Sequence, residues 1–122
     1  MDNSATVSDL KERVRRFRDA RDWLKFHNPK DLSMALSIES TELEELFLWK
    51  DKAEVDAYRT DQEKSAKVED EAADIAIYLL SLADVMNIDL SDAIVRKLET
   101  NERRYPVEEF RGTSRKYSEA LK

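Results

Sequence analysis

The stretch LSIESTELEELFLWK, residues 36–50, sets Glu39 and Glu42 beside an apolar seam made by Leu36, Leu43, Leu46 and Phe47. Residues three apart share one face of a helix, so the two carboxylates point the same way. A second stretch, EDEAADIAIYLL at residues 69–80, repeats the arrangement with Glu71 and Asp74 ahead of Ile75, Tyr78 and Leu79. A carboxylate pair on a solvated face is commonplace in a chain holding 27 acidic residues. Two pairs set in the most apolar parts of two helices are harder to explain that way, because carboxylates are rarely buried without a partner. If the helices pack together, four anionic groups converge and repel, and a cation offsets them.

Working outward, the chain has 122 residues, a length that suits a single domain spanning 1–122 with 105–122 as a C-terminal tail. One Gly and two Pro leave a strand-and-turn architecture almost without punctuation, so the expected fold class is all-α, a four-helix bundle. Thr6 or Ser8 caps a first helix running to Phe26, with Leu10, Val14, Phe17 and Leu24 on one face. The segment 27–31 breaks it at Pro29, and Asp31 caps a second helix over 32–50. Residues 51–63 read as a polar loop with one helical turn around 55–58. A third helix covers 65–86, and Asn87 stops it. Asp89 or Ser91 caps a fourth helix that ends at Arg104 before Pro106. The third helix is apolar on two sides, Ile75 and Leu79 on one, Ala73, Ala76, Leu80 and Ala83 on the other, which points to a subunit interface.

Composition excludes several kinds of chemistry. A net charge of −6 argues against a general grip on nucleic-acid polymers. With no Cys there is no disulfide, thiolate zinc site or cysteine nucleophile, and a single His, His27, rules out a site needing two imidazoles. No run of apolar residues is long enough for a membrane span, and the N-terminal residues lack the apolar centre of a secretory signal, so a cytoplasmic protein without membrane contact is expected. Oxygen-only ligands favour Mg²⁺, with Mn²⁺ as the other fit, over zinc or copper. Di-iron helical bundles need Glu-x-x-His pairs, which His27 does not form with these acids. Magnesium held by carboxylates commonly meets substrate phosphates, which suggests metal-assisted hydrolysis of a phosphoanhydride. Trp23, Trp49 and Tyr78 lie at or near the ends of the acidic helices and are suited to stacking on a base.

Taken with RDWLKFHNP at 21–29, ESTELEELFLWK at 39–50, EDEAADIAIYLLSLA at 69–83 and KLETNERRYPVEEFRGTSRKY at 97–117, the chain resembles the MazG-like all-alpha nucleoside triphosphate pyrophosphatases, in their dCTP pyrophosphatase branch. The resemblance implies hydrolysis between the α and β phosphates of a nucleoside triphosphate, most simply dCTP or a modified dCTP, for cleaning the nucleotide pool. It implies Glu39, Glu42, Glu71 and Asp74 as magnesium ligands, Trp23, Trp49 and Tyr78 as pocket residues, and assembly as a dimer or, by preference, a tetramer. Some close relatives carry a histidine in the first helix where this chain has Val14. His27 and Lys50 read as pocket-edge residues, Arg104, Arg111 and Lys116 as phosphate contacts, and Asn101 and Tyr105 as polar neighbours. One of the four carboxylates, or Glu45, is expected to orient or deprotonate the attacking water. Two other readings stand beside this one: the same chemistry on dUTP or a broad dNTP range, and a non-enzymatic helical interaction module.

Overall fold

The computed structural model describes residues 1–120, and every regular element among them is helical. Helix α1 (Val7–Ala20) begins at Thr6, whose hydroxyl accepts from the Asp9 N–H at 3.0 Å while the Asp9 carboxylate accepts from the Thr6 N–H at 2.9 Å. This reciprocal capping box satisfies two donors that a helix start leaves free. The expectation that the helix reaches Phe26 fails at Asp22, whose φ of 54° is a left-handed conformation that Asp tolerates better than most residues. The chain then makes a 3₁₀ turn at Leu24–Phe26.

Helix α2 (Pro29–Glu45) starts earlier than expected and ends earlier. Asn28 is the cap, accepting from the Asp31 N–H at 2.9 Å, and Pro29 occupies the first helical position, where its missing N–H costs nothing. Asp31 is therefore a first-turn acid. At the other end, the Lys50 N–H donates to the Phe47 carbonyl at 3.2 Å, and Trp49 takes a φ of 62°.

The expected loop over 51–63 contains helix α3 (Lys52–Thr60), started by a second capping box between Asp51 and Glu54. Asp61 caps α4 (Gln62–Val85), a helix of 24 residues that ends at Met86 with Asn87 at φ 53°, the stop expected of it. Asp89 caps α5 (Leu90–Arg104), and the tail holds two short turns, α6 (Val107–Phe110) and α7 (Tyr117–Ala120). No helix among the described residues is long and apolar enough to cross a membrane.

The contacts divide the chain at Ile88 into two units. In the first, α1, α2 and α3 all pack on α4, and α2 does so most extensively. Leu32 on α2 and Leu80 and Ala83 on α4 form its buried centre. Full burial of one such leucine stabilises the fold by about 1.5–3 kcal/mol. Helix α1 is fixed to α4 by charge as well as by packing. Asp84 accepts from Arg15 Nε at 3.0 Å and from Arg18 Nη1 at 2.7 Å, while Arg18 Nε reaches Asp19 at 2.9 Å. Arg18 is 5% exposed and the Asp84 side chain 14%, so the centre of this network is buried while Arg15 and Asp19 reach solvent. The expected apolar stripe of α1 is only partly covered, with Phe17 50% exposed. Leu10, Val14 and Phe17 instead form, with Ala73, Ala76 and Ile77 of α4, an apolar groove of about 460 Å³. In the second unit the Tyr105 ring meets Phe110 and Tyr117 edge-on, at 4.8 and 6.3 Å.

Candidate active site

Helices α2 and α4 run against each other with their acidic faces together. One oxygen each from Glu39 and Glu42 of α2 and Glu71 of α4 lies within 4.8 Å of the others. Glu42 is exposed, whereas Glu39 and Glu71 are half-buried, and each of these two has its Oε2 atom fully buried with no hydrogen-bond partner. A buried carboxylate oxygen in that position forgoes solvation and receives nothing from the protein in return.

The electrostatics follow from the crowding. Burial raises the Glu39 carboxyl to about 7, helped by a contact with Glu42 and by the charges of Glu42, Asp74 and Glu71. Glu71 is raised chiefly by burial and then by the charge of Glu42, with a smaller opposing contact from Glu39. Three carboxylates so placed offer oxygen ligands only, and two of them keep a buried oxygen without a partner. The donor set fits a hard divalent cation such as Mg²⁺ or Mn²⁺.

Asp74 lies one turn beyond Glu71 on α4 and is exposed. Its charge acts on both Glu39 and Glu71, although its oxygens stand outside the group of three. Glu45 ends α2, is exposed, and is likewise outside that group. Tyr78, half-buried, follows Asp74 by one further turn.

The aromatic residues stand differently from one another. Trp23 packs edge-on against Phe17 at 5.7 Å and tilts toward His27 at 6.5 Å. His27 Nδ1 is buried without a partner, and its imidazole is held below the ordinary value by burial and then by the Arg18 charge. Trp49 is 93% exposed and Lys50 beside it is exposed too. Asn101, Arg104, Tyr105, Arg111 and Lys116 all fall in the second unit. There the Asn101 carbonyl accepts from the Tyr105 N–H at 2.8 Å, the Tyr105 hydroxyl accepts from the Tyr117 N–H at 3.3 Å, and the Arg104 guanidinium lies 5.8 Å from the Tyr117 ring. The Lys116 N–H donates to the Glu119 carboxylate at 2.8 Å, and Arg111 is exposed.

Sequence reasoning overlooked two parts of this arrangement. One is the network of Arg15, Arg18 and Asp84, whose members are 66 and 69 positions apart. The other is the tilted contact of Phe47 with Tyr58, with ring centroids 4.9 Å apart. The spacing of Arg15 and Arg18 on one helix face was the available signal for the first; for the second, the Asp51-to-Glu54 capping spacing would have announced the helix that carries Tyr58.

Comparison with known proteins adds independent findings. The profile of the MazG-like family matches residues 34–120. The chain is 40% identical over 114 residues to dCTP pyrophosphatase 1 of Bos taurus, covering 93% of this chain and 68% of that protein. It is 39% identical over 114 residues to dCTP pyrophosphatase 1 of Homo sapiens, covering 93% and 67%. Among solved structures, a pyrophosphatase from Archaeoglobus fulgidus superposes with a TM-score of 0.73 at 43% identity, covering 81% of this chain and 91% of that one.

Proposed function

The chain belongs to the MazG-like family of nucleoside triphosphate pyrophosphatases, and from that premise we propose that it hydrolyses a dNTP, dCTP or a modified dCTP first, to the monophosphate and pyrophosphate with Mg²⁺ as cofactor. The observation that carries this reading is the convergence of Glu39, Glu42 and Glu71 within 4.8 Å across α2 and α4. A helical module with merely solvated acidic faces has no reason to bury two unpartnered carboxylate oxygens.

In the mechanism, Glu39, Glu42 and Glu71, with Asp74 at the margin, would hold the cation. When bound, Mg²⁺ supplies positive charge against the phosphate oxygens and acidifies water. One of these carboxylates, or Glu45 at the exposed end of α2, orients the attacking water and takes its proton. Water adds at a phosphorus of the α–β bridge, the bridging P–O bond breaks, and the bridging oxygen leaves with one of the two products. Trp23, Trp49 and Tyr78 grip the base and sugar. The working form is a homo-oligomer, a tetramer by preference. The groove between α1 and α4 supports this, since it leaves Leu10, Phe17 and Ile77 38%, 50% and 42% exposed. The role that follows is removal of unwanted dNTPs from the pool.

The test is a panel of dNTPs, including dUTP and 5-modified dCTP, incubated with Mg²⁺ and assayed for monophosphate and pyrophosphate. The expected result is turnover with the highest kcat/KM on a cytosine nucleotide; a highest value on dUTP moves the substrate without changing the chemistry. No turnover on any member, with the wild-type protein folded, refutes the reading. Glu42→Gln is expected to lose at least about a hundredfold in kcat while keeping its fold.

A further inference from the structure

Trp49 occupies an unusual position for a tryptophan. It is the third residue of a four-residue turn closed by the Lys50 N–H to the Phe47 carbonyl at 3.2 Å, and its φ is 62°. Bulky side chains disfavour that left-handed region, where glycine or asparagine is the usual occupant. The indole recovers nothing from its own chain, since it is 93% exposed. Something else in the fold must hold the conformation, because backbone strain of this kind persists only where the surroundings over-determine it.

The restraint comes from both flanks of the turn. On the far side, Asp51 is locked by its reciprocal bonds with Glu54 at the start of α3. On the near side, the half-buried Phe47 packs its ring on Tyr58 of α3, with centroids 4.9 Å apart and planes inclined at 56°. Tyr58 is itself fixed, since α3 packs on α4 and the Lys64 ammonium in the first turn of α4 lies 5.8 Å from its ring. The turn is thus pinned to the helix that carries Glu71.

We propose that Tyr58 is a positioning residue for Trp49, acting through Phe47 to hold the indole pre-formed for the nucleotide. The proposal rests on the reading above in which Trp49 contacts the substrate. Tyr58 touches neither the substrate nor the acidic cluster in this account. Its ring sets the conformation of the turn, so its loss reappears as an ordering cost at the moment of binding.

The test is steady-state kinetics on the best substrate of the dNTP panel with saturating Mg²⁺. Tyr58→Leu is expected to raise KM about fivefold with kcat within about twofold of wild type. Tyr58→Phe, which keeps the ring, is expected to restore the wild-type KM. Phe47→Leu breaks the same ring contact from the turn side and is expected to match Tyr58→Leu, so the test survives if one variant does not fold. In a Trp49→Ala background Tyr58→Leu is expected to add nothing, the non-additivity that coupled residues show. An unchanged KM in both Tyr58→Leu and Phe47→Leu, or full additivity with Trp49→Ala, overturns the proposal while leaving the functional reading intact. An unchanged KM in Trp49→Ala overturns both the assignment of Trp49 and the proposal built on it.

Discussion

Asp84 gives the most direct test of how α1 is fixed to α4. It accepts from Arg15 Nε at 3.0 Å and from Arg18 Nη1 at 2.7 Å, and its side chain is 14% exposed beside an Arg18 side chain at 6%. Replacing Asp84 with Asn removes the charge and turns an amide toward two guanidinium groups. Removing one partner of a fully buried pair costs about 3–5 kcal/mol. Arg18 keeps Asp19 at 2.9 Å, and the Arg15 side chain is 40% exposed and keeps Glu12, so the loss is smaller here. With the exposed half of the network discounted for solvent screening, Asp84→Asn is expected to destabilise by about 2–3 kcal/mol, lowering Tm by about 10 °C. The measurement is urea denaturation at several pH values. Hydrogen bonds from Arg15 and then Arg18 hold the Asp84 carboxyl below its ordinary value, against the opposing effect of burial. A lowered folded value means the stabilisation is present above the unfolded carboxyl value and is lost as pH falls through the folded one. The gap between wild type and Asp84→Asn should therefore be full at pH 7 and narrow below about pH 4. A difference under about 0.5 kcal/mol at pH 7, or one that does not narrow in acid, refutes the argument.

The acidic cluster carries the opposite sign. With Glu39 raised to about 7 and Glu71 raised in the same direction, the stability they contribute is present below the unfolded carboxyl value and is lost as pH rises through about 7. Chelator-treated protein is expected to melt at a lower temperature at pH 8 than at pH 5.5, and Mg²⁺ should reverse the decline; a flat profile would speak against a crowded carboxylate site. Glu39→Gln relieves like-charge repulsion, so at pH 8 without metal it is expected to melt above wild type and to respond less to Mg²⁺. A lower melting temperature with an undiminished metal response would show that Glu39 is a structural group.

Much of this was legible in the residues, and the parts that were not share a cause. The helical class followed from the near absence of Gly and Pro, and the carboxylate pairs followed from their three-residue spacing. Glu39, Glu42 and Glu71 do converge, because α2 packs along α4 with those faces inward. Asp74 contributes charge and stands outside the convergent oxygens, a distinction that spacing alone cannot make. Helix α1 stops short of Phe26 where Asp22 turns left-handed without being a Gly that would announce it, and α2 gives way to turns after Glu45 with Leu46 still right-handed. The α3 helix was hidden by its polar composition, although its Asp-to-Glu capping spacing was there to be read. The Asp84 network joins helices 66 and 69 residues apart, and no local pattern encodes a partner at that distance.

The chain has two tryptophans, and neither is in the buried centre: Trp23 is 42% exposed and Trp49 93%. Intrinsic fluorescence is therefore an unusual instrument for this protein. Trp49 already emits from a watery surrounding in the native state, so unfolding shifts its spectrum little. Thermal or urea transitions should be followed by far-ultraviolet circular dichroism, which reports the helices. The emission signal is free to report what comes to rest against the indole, and a Trp23→Phe background would isolate it to the one turn between α2 and α3.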